Sequence, residues 1–352
     1  MTTKCCYHNV PVVLFTAWLG LGASACGDDG EPGVEQGSDE TSGDENSGDG
    51  DGDGDGDPTG DGDGDGDGDP AGDGDGDPTG DGDGDPTGDG DGDPVGQDYR
   101  NPGPRSVSVG EGSMQVTPEC DLSYGVFEPD VADSDTPVLL AHGFMRSIDD
   151  MAETARHIAS WGVTVYTVPL CTNSFAIDHQ QNGEAIAALG QAIAPEGAVY
   201  SGFSAGGLAA FVAAATDQSA VAFVGLDAVD NADLGLGLAD QASPARGSIA
   251  APGQCNTNNN FLPVYDAIPG APVIQIVDAE HFDFETDACA PGDFSCTLCA
   301  PAGPETHALA LGMTTAGILI ETGADPGGET WWMPGGEFFD MFIQQGQITL
   351  IQ

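Results

Sequence analysis

Residues 198–208 read Ala-Val-Tyr-Ser-Gly-Phe-Ser-Ala-Gly-Gly-Leu, and Leu208 opens the run Leu-Ala-Ala-Phe-Val-Ala-Ala-Ala that ends at residue 215. An apolar stretch therefore meets a Gly-Phe-Ser-Ala-Gly pentapeptide and passes straight into a helix-forming segment. A serine on so sharp a strand-to-helix turn has strained backbone angles, and side chains two residues before and after it would collide. Gly202 and Gly206 remove both collisions. The turn lifts the Ser204 hydroxyl clear of a sheet and leaves the amide of Ala205 pointing outward. A strand before and a helix after is the repeating unit of an α/β sheet.

The surrounding pattern agrees. Leu122–Phe127 alternates as a strand and is followed by Pro129, while Pro137–Ala141 is a short continuous apolar run of the kind buried on both faces of a parallel sheet. Helical patterning over Ile148–Trp161 leads to a strand at Val163–Val168, then a helix at Asp178–Ile193. Strands are expected at Ala198–Ser201, Val221–Leu226, Ser248–Ala251 and Val273–Val277, with a helix over Thr306–Glu321. Strands alternating with helices predict a mostly parallel sheet covered on both faces, whose ligand sites lie beyond the carboxyl ends of the strands.

Three features fall at those ends. His142-Gly143-Phe144-Met145 follows the strand ending at Ala141, and such a turn can offer the amide of Phe144 as an oxyanion donor beside that of Ala205. Gly225-Leu-Asp-Ala-Val-Asp230 ends the strand after the pentapeptide; Asp227, first after the apolar run, is the better-placed acid and Asp230 its rival, since either could be an ordinary helix cap. Asp278-Ala-Glu-His-Phe-Asp-Phe-Glu285 follows the strand ending at Val277. His142 belongs to the oxyanion turn, His157 and His179 fall on predicted helices, and His307 lies at a helix start. Only His281 combines a strand-end position with the chain order Ser…Asp…His.

The rest of the chain sets the context. Residues 1–25 contain no acidic side chain, one lysine (Lys4) and an apolar stretch from Val10 to Leu21, too short for a membrane span, which is the pattern of an export signal. Leu21-Gly-Ala-Ser-Ala-Cys26 resembles a bacterial lipobox, predicting cleavage before Cys26 and its lipidation. Ala23 departs from the usual large aliphatic residue, and Ala23-Ser-Ala25 also suits an ordinary A-x-A cleavage. Residues 26–98 are almost entirely Gly, Asp, Glu, Pro and Thr and hold 28 of the 59 acidic groups, a composition that cannot offset its ordering entropy and reads as a disordered spacer. Calcium binding is the rival reading. The alternating Asp blocks lack the bidentate Glu of an EF-hand loop and the apolar residues of a solenoid.

Residues 99–352 are long enough for one domain with a full core. Their 31 acidic residues face five arginines and no lysine, a net charge near −26 that argues against binding nucleic acid or an anionic lipid surface. Six cysteines remain here: Cys120, Cys171, Cys255, Cys289, Cys296 and Cys299. An even number in an exported domain predicts up to three disulfides, with 15 pairings open. Zinc at Cys289, Cys296 and Cys299 is the alternative and lacks an identified fourth ligand.

On Pro137-Val-Leu-Leu-Ala-His-Gly-Phe144, His157-Ile-Ala-Ser-Trp-Gly-Val163, the Ser204 pentapeptide, Gly225-Leu-Asp-Ala-Val229 and Ala279-Glu-His-Phe-Asp283, residues 124–323 resemble the α/β-hydrolase superfamily. The similarity is to the group containing chlorophyllases, platelet-activating-factor acetylhydrolases and cutinase-like polyester hydrolases. The resemblance implies an α/β-hydrolase fold and a Ser204–Asp227–His281 triad with the amides of Phe144 and Ala205 as oxyanion donors. It implies carboxylic ester hydrolysis without metal or organic cofactor, on a small or lipid-like ester; the lipobox-like signal in turn implies membrane contact only through Cys26. In the polyester hydrolases the acid follows the next strand, around Ala251–Asn256, where this chain has no carboxylate. The cysteine and asparagines between Cys255 and Asn259 are also similar to the group, with no role derivable from sequence. A non-catalytic surface binding protein, or an amidase or acyltransferase of the same fold, are the alternatives. Residues 324–352, with Trp331-Trp332, fall outside the resemblance.

Overall fold

The computed structural model describes residues 96–242 and 244–352. The export signal expected at residues 1–25, the lipidation expected at Cys26 and the acidic segment up to residue 95 lie outside the described residues.

Nine strands form one sheet: β1 (Val107–Thr117), β2 (Cys120–Pro129), β3 (Val138–Ala141), β4 (Val165–Val168), β5 (Val199–Phe203), β6 (Ala222–Leu226), β7 (Ala245–Ile249), β8 (Val273–Ile276) and β9 (Ile348–Leu350). Their order is β1-β2-β4-β3-β5-β6-β7-β8-β9. From β4 across to β8 every pairing is parallel, while β1–β2, β2–β4 and β8–β9 are antiparallel. β3, β5, β6 and β7 are buried at every position, because they are central strands covered on both faces.

The helices are α1 (Ala152–Ser160), α2 (His179–Ile193), α3 (Ala205–Thr216), α4 (Leu234–Leu238), α5 (Leu262–Ala267), α6 (Phe294–Leu298), α7 (Pro304–Thr322), α8 (Glu329–Trp332) and α9 (Glu337–Gln344). Alternate strand residues feed two cores. Val138, Leu140, Val199, Val224 and Ile274 pack with α1 and α7–α9, whereas Leu139, Tyr200, Phe223 and Val273 pack with α2–α5. Asp178 accepts the backbone N–H of Gln181 and starts α2 one residue later than the apolar pattern alone implies. α3 is apolar nearly all round and correspondingly buried, with α2 laid across it.

Several boundaries differ from the sequence expectations. β1 was not foreseen: it is a half-exposed edge strand with Gly110 and Gly112 and a weak alternation. The strand expected at 248–251 lies at Ala245–Ile249, because burial of Arg246 against Glu321 and Trp332 lets a cation sit where the pattern demands an apolar residue. Ile148–Met151 is a 3₁₀ turn leading into α1, with Ser147 and Asp150 forming a reciprocal cap. The C-terminal residues complete one core: Trp331 and Trp332 are fully buried, Trp331 stacks on Phe338, and β9 pairs with β8. The indole of Trp331 donates to the carbonyl of Gln97, which ties the first described residues to the last helices.

Candidate active site

The carboxyl ends of β3, β5, β6 and β8 place four loops together. At the first, β5 ends at Phe203 and α3 begins at Ala205, leaving Ser204 alone between them with φ 55° and ψ −122°. That conformation costs a non-glycine residue about 1–3 kcal/mol, and surrounding bonds hold it there. The Ser204 N–H donates to Leu226 O at 3.1 Å, and its carbonyl accepts from Gly207 N at 2.9 Å and Val229 N at 3.2 Å. A Cβ on Gly202 would stand 2.4 Å from the Gly206 carbonyl oxygen, and one on Gly206 would stand 2.2 Å from that of His142. Both glycines are required by backbone contact, the second by the neighbouring turn rather than by the pentapeptide itself.

That neighbouring turn follows β3. Met145 has φ 58°, and its N–H donates to Asn173 Oδ1 at 2.7 Å while Asn173 Nδ2 returns a bond to Arg146 O at 2.7 Å. His142 is buried, its Nδ1 lies 2.8 Å from Gly143 O, and burial pushes its pKa below the ordinary value. The N–H groups of Phe144 and Ala205 make no hydrogen bond among the described residues. Both remain available to a ligand.

Asp227 immediately follows β6, with φ 42° and 1 % exposure. Its Oδ1 accepts from Ala250 N at 3.0 Å, its Oδ2 lies 2.6 Å from His281 Nδ1, and Asn256 Nδ2 reaches the two oxygens at 3.4 and 3.2 Å. The rival acid is occupied elsewhere: Asp230 accepts from the N–H groups of Asn231, Gly235 and Leu236 and caps the start of α4. His281 opens the 3₁₀ turn His281–Phe284 after β8 and is 6 % exposed. Its ring packs on Phe203, the residue before Ser204, with centroids 4.6 Å apart. Neither Ser204 Oγ nor His281 Nε2 makes a hydrogen bond among the described residues. Of the other histidines, His157 faces Tyr99 O, His307 faces Asp283 O in the turn that His281 opens, and His179 begins α2.

Long-range ties absent from any local motif hold these loops. Arg146, at the end of the turn after β3, pairs with Asp150, with Glu285 and with Asp293 (2.6 Å), and lies over the Phe282 ring. Burial pushes Glu285 up to about 7 against the pull of Arg146, whereas the Cys296 N–H and neighbouring donors hold Asp293 down to about 2. Asp283 accepts from Glu280, Ala302 and Gly303 N–H groups, fastening the His281 turn to the start of α7; burial nonetheless raises its pKa. Disulfides join Cys120 to Cys171, Cys255 to Cys299 and Cys289 to Cys296. They engage all three cysteines of the zinc alternative. Among the described residues, no group of three or more His, Cys, Asp or Glu side chains is arranged to hold a metal ion.

Sequence reading singled out Ser204, Asp227, His281, Phe144 and Ala205; it did not find the roles of Asn256, Asn173, Asp283 or the Arg146 cluster. The asparagine-rich stretch after Cys255 was the one available signal. No protein-family model and no curated protein matches this chain.

Proposed function

We propose that this chain is an exported serine hydrolase of the α/β-hydrolase class that cleaves carboxylic esters. The observation carrying the reading is the 2.6 Å bond between Asp227 Oδ2 and His281 Nδ1, with the imidazole packed beside the strained turn that presents Ser204. Support also comes from the mostly parallel sheet, from two unpaired amides on the turns after β3 and β5, and from the order Ser…Asp…His.

Ser204 Oγ attacks the ester carbonyl carbon while His281 Nε2 takes its proton. Asp227 holds the ring in the required tautomer and stabilises the imidazolium. The N–H groups of Phe144 and Ala205 donate to the oxyanion. Collapse of the tetrahedral adduct expels the alcohol, which leaves with the proton from His281. Water then attacks the acyl-enzyme, giving a proton to His281, and release of the acid restores Ser204. Exposed Met145 and Phe175, with Phe144 against Phe175, give an apolar rim suited to an uncharged acyl or alcohol group. The excess of acidic residues disfavours anionic substrates.

Three disulfides fit an oxidising, extracellular-type environment. In this reading Cys26 carries a lipid anchor. The test is hydrolysis of p-nitrophenyl butyrate by purified protein. Turnover is expected in the wild type and its loss in Ser204→Ala; equal turnover in both overturns the reading.

A further inference from the structure

The carboxylate of Asp227 must show one oxygen to His281 Nδ1 and keep it there, although rotation about its terminal torsion costs little. One backbone donor, Ala250 N–H, holds Oδ1. The second restraint comes from a side chain with no place in the triad. We propose that Asn256 is a positioning residue for the catalytic acid, held in register by the Cys255–Cys299 bridge. The inference rests on the ester-hydrolase reading of Ser204, Asp227 and His281.

The orientation of the Asn256 amide follows from its surroundings. Its Oδ1 accepts from Gly253 N at 2.8 Å and Asn259 N at 3.3 Å, and one Nδ2 hydrogen goes to Ala251 O at 2.9 Å. Two donors on one side and an acceptor on the other exclude the flipped amide. The second Nδ2 hydrogen is thereby directed at Asp227, shared between both carboxylate oxygens, and a shared bond is longer than a two-centre one. Asn256 is 1 % exposed, so water does not substitute for it.

The loop around Asn256 is built to hold that geometry. Thr257, Asn258 and Asn259 all have positive φ (52°, 56° and 59°), curling the chain around the amide. Asn259 Nδ2 donates to Ala250 O, next to the other donor on Asp227. Three consecutive left-handed residues are costly to keep, and the residue before Asn256 is covalently fixed to Cys299, beyond α6. The disulfide, Asn256 and Ala250 thus converge on one carboxylate.

Two consequences follow. Loss of the Asn256 donor leaves Asp227 less restrained, lowering kcat with little change in KM. It also removes a donor from the carboxylate oxygen that lies 2.6 Å from His281 Nδ1, altering that contact. The test compares full-length wild type, Asn256→Ala, Asn256→Asp and Cys255→Ser/Cys299→Ser. Readouts are p-nitrophenyl butyrate kinetics and the low-field proton resonance of His281 Nδ1–H. Asn256→Ala should lose about ten- to hundredfold in kcat, with KM within about twofold, by the scale of other outer-layer partners of functional groups. The low-field resonance, lost in Asp227→Asn, should shift in both Asn256 variants, and the double serine variant should move every readout in the same direction. Unchanged kcat and resonance in a folded Asn256 variant overturn the proposal, even if its Tm falls. If Asn256→Ala does not fold, the isosteric Asn256→Asp and the double serine variant decide the matter alone. Ser204-independent turnover, in contrast, overturns the ester-hydrolase reading, and the resonance still reports whether Asn256 restrains the acid.

Discussion

The two halves of the candidate site are held by different physics. On the Ser204 side, the geometry comes from backbone contact: β5 enters, one strained residue turns, α3 leaves, Gly202 abuts the Gly206 carbonyl, and Gly206 abuts that of His142 after β3. On the Asp227–His281 side, partners 54 residues apart are brought together by ties from distant segments. Those ties are the Cys255–Cys299 bridge, the Arg146–Glu285–Asp293 cluster and the capture of Ala302 and Gly303 N–H groups by Asp283. A turn fixed by backbone contacts tolerates little substitution. A relay assembled by side chains should instead lose function in graded steps.

The largest contrast is expected between two aspartates three residues apart. Asp227→Asn should reduce kcat about ten-thousandfold, because the amide favours the wrong imidazole tautomer and cannot stabilise the imidazolium. Asp230→Asn retains an acceptor for the α4 N–H groups and should leave kcat unchanged while costing under about 1 kcal/mol of stability. Steady-state kinetics and urea unfolding on both variants separate the two, and the opposite pattern would exchange their roles.

Next comes the sterically fixed half. Gly206→Ala forces a methyl group against the His142 carbonyl, displacing the turn that carries Phe144. A cost of about 1–3 kcal/mol in stability and about a hundredfold in kcat is expected. Wild-type kinetics in that variant would show the turn to be more yielding than its contacts imply.

The smallest effect belongs to the tied half and depends on pH. Glu285 has its pKa pushed up to about 7 by burial, above the ordinary 4.5 of an exposed Glu. Between those values the folded chain holds a proton that the unfolded chain has released, so this contribution is full below about pH 4.5 and disappears as pH rises through 7. Glu285→Gln should flatten that part of the stability curve. Thermal unfolding of both proteins at pH 5 and pH 8 checks it; equal slopes would mean that Arg146 keeps the carboxylate ionised throughout.

The same contrast explains what could be read from the chain. The Ser204 turn, the run at Val138–Ala141 and the strand-end positions of Asp227 and His281 follow from local patterns, because apolar periodicity and glycine placement report backbone demands directly. β1 escaped notice because an edge strand need not alternate strongly, and β7 was displaced because Arg246 is buried by partners far away in sequence. Asn256 and the Arg146 cluster were illegible for the same reason: a polar residue looks alike in a loop whether it faces water or a buried carboxylate. The cysteines announced cross-links without their pairing, which depends on the three-dimensional path of residues 255–299.

Active-site labelling tests the central claim most directly. A fluorophosphonate should modify purified wild-type protein at one residue, mapped by peptide mass spectrometry to Ser204, with labelling abolished in Ser204→Ala and greatly slowed in His281→Ala. Stoichiometric labelling at a different residue, or a rate at Ser204 indifferent to loss of the imidazole, would contradict it.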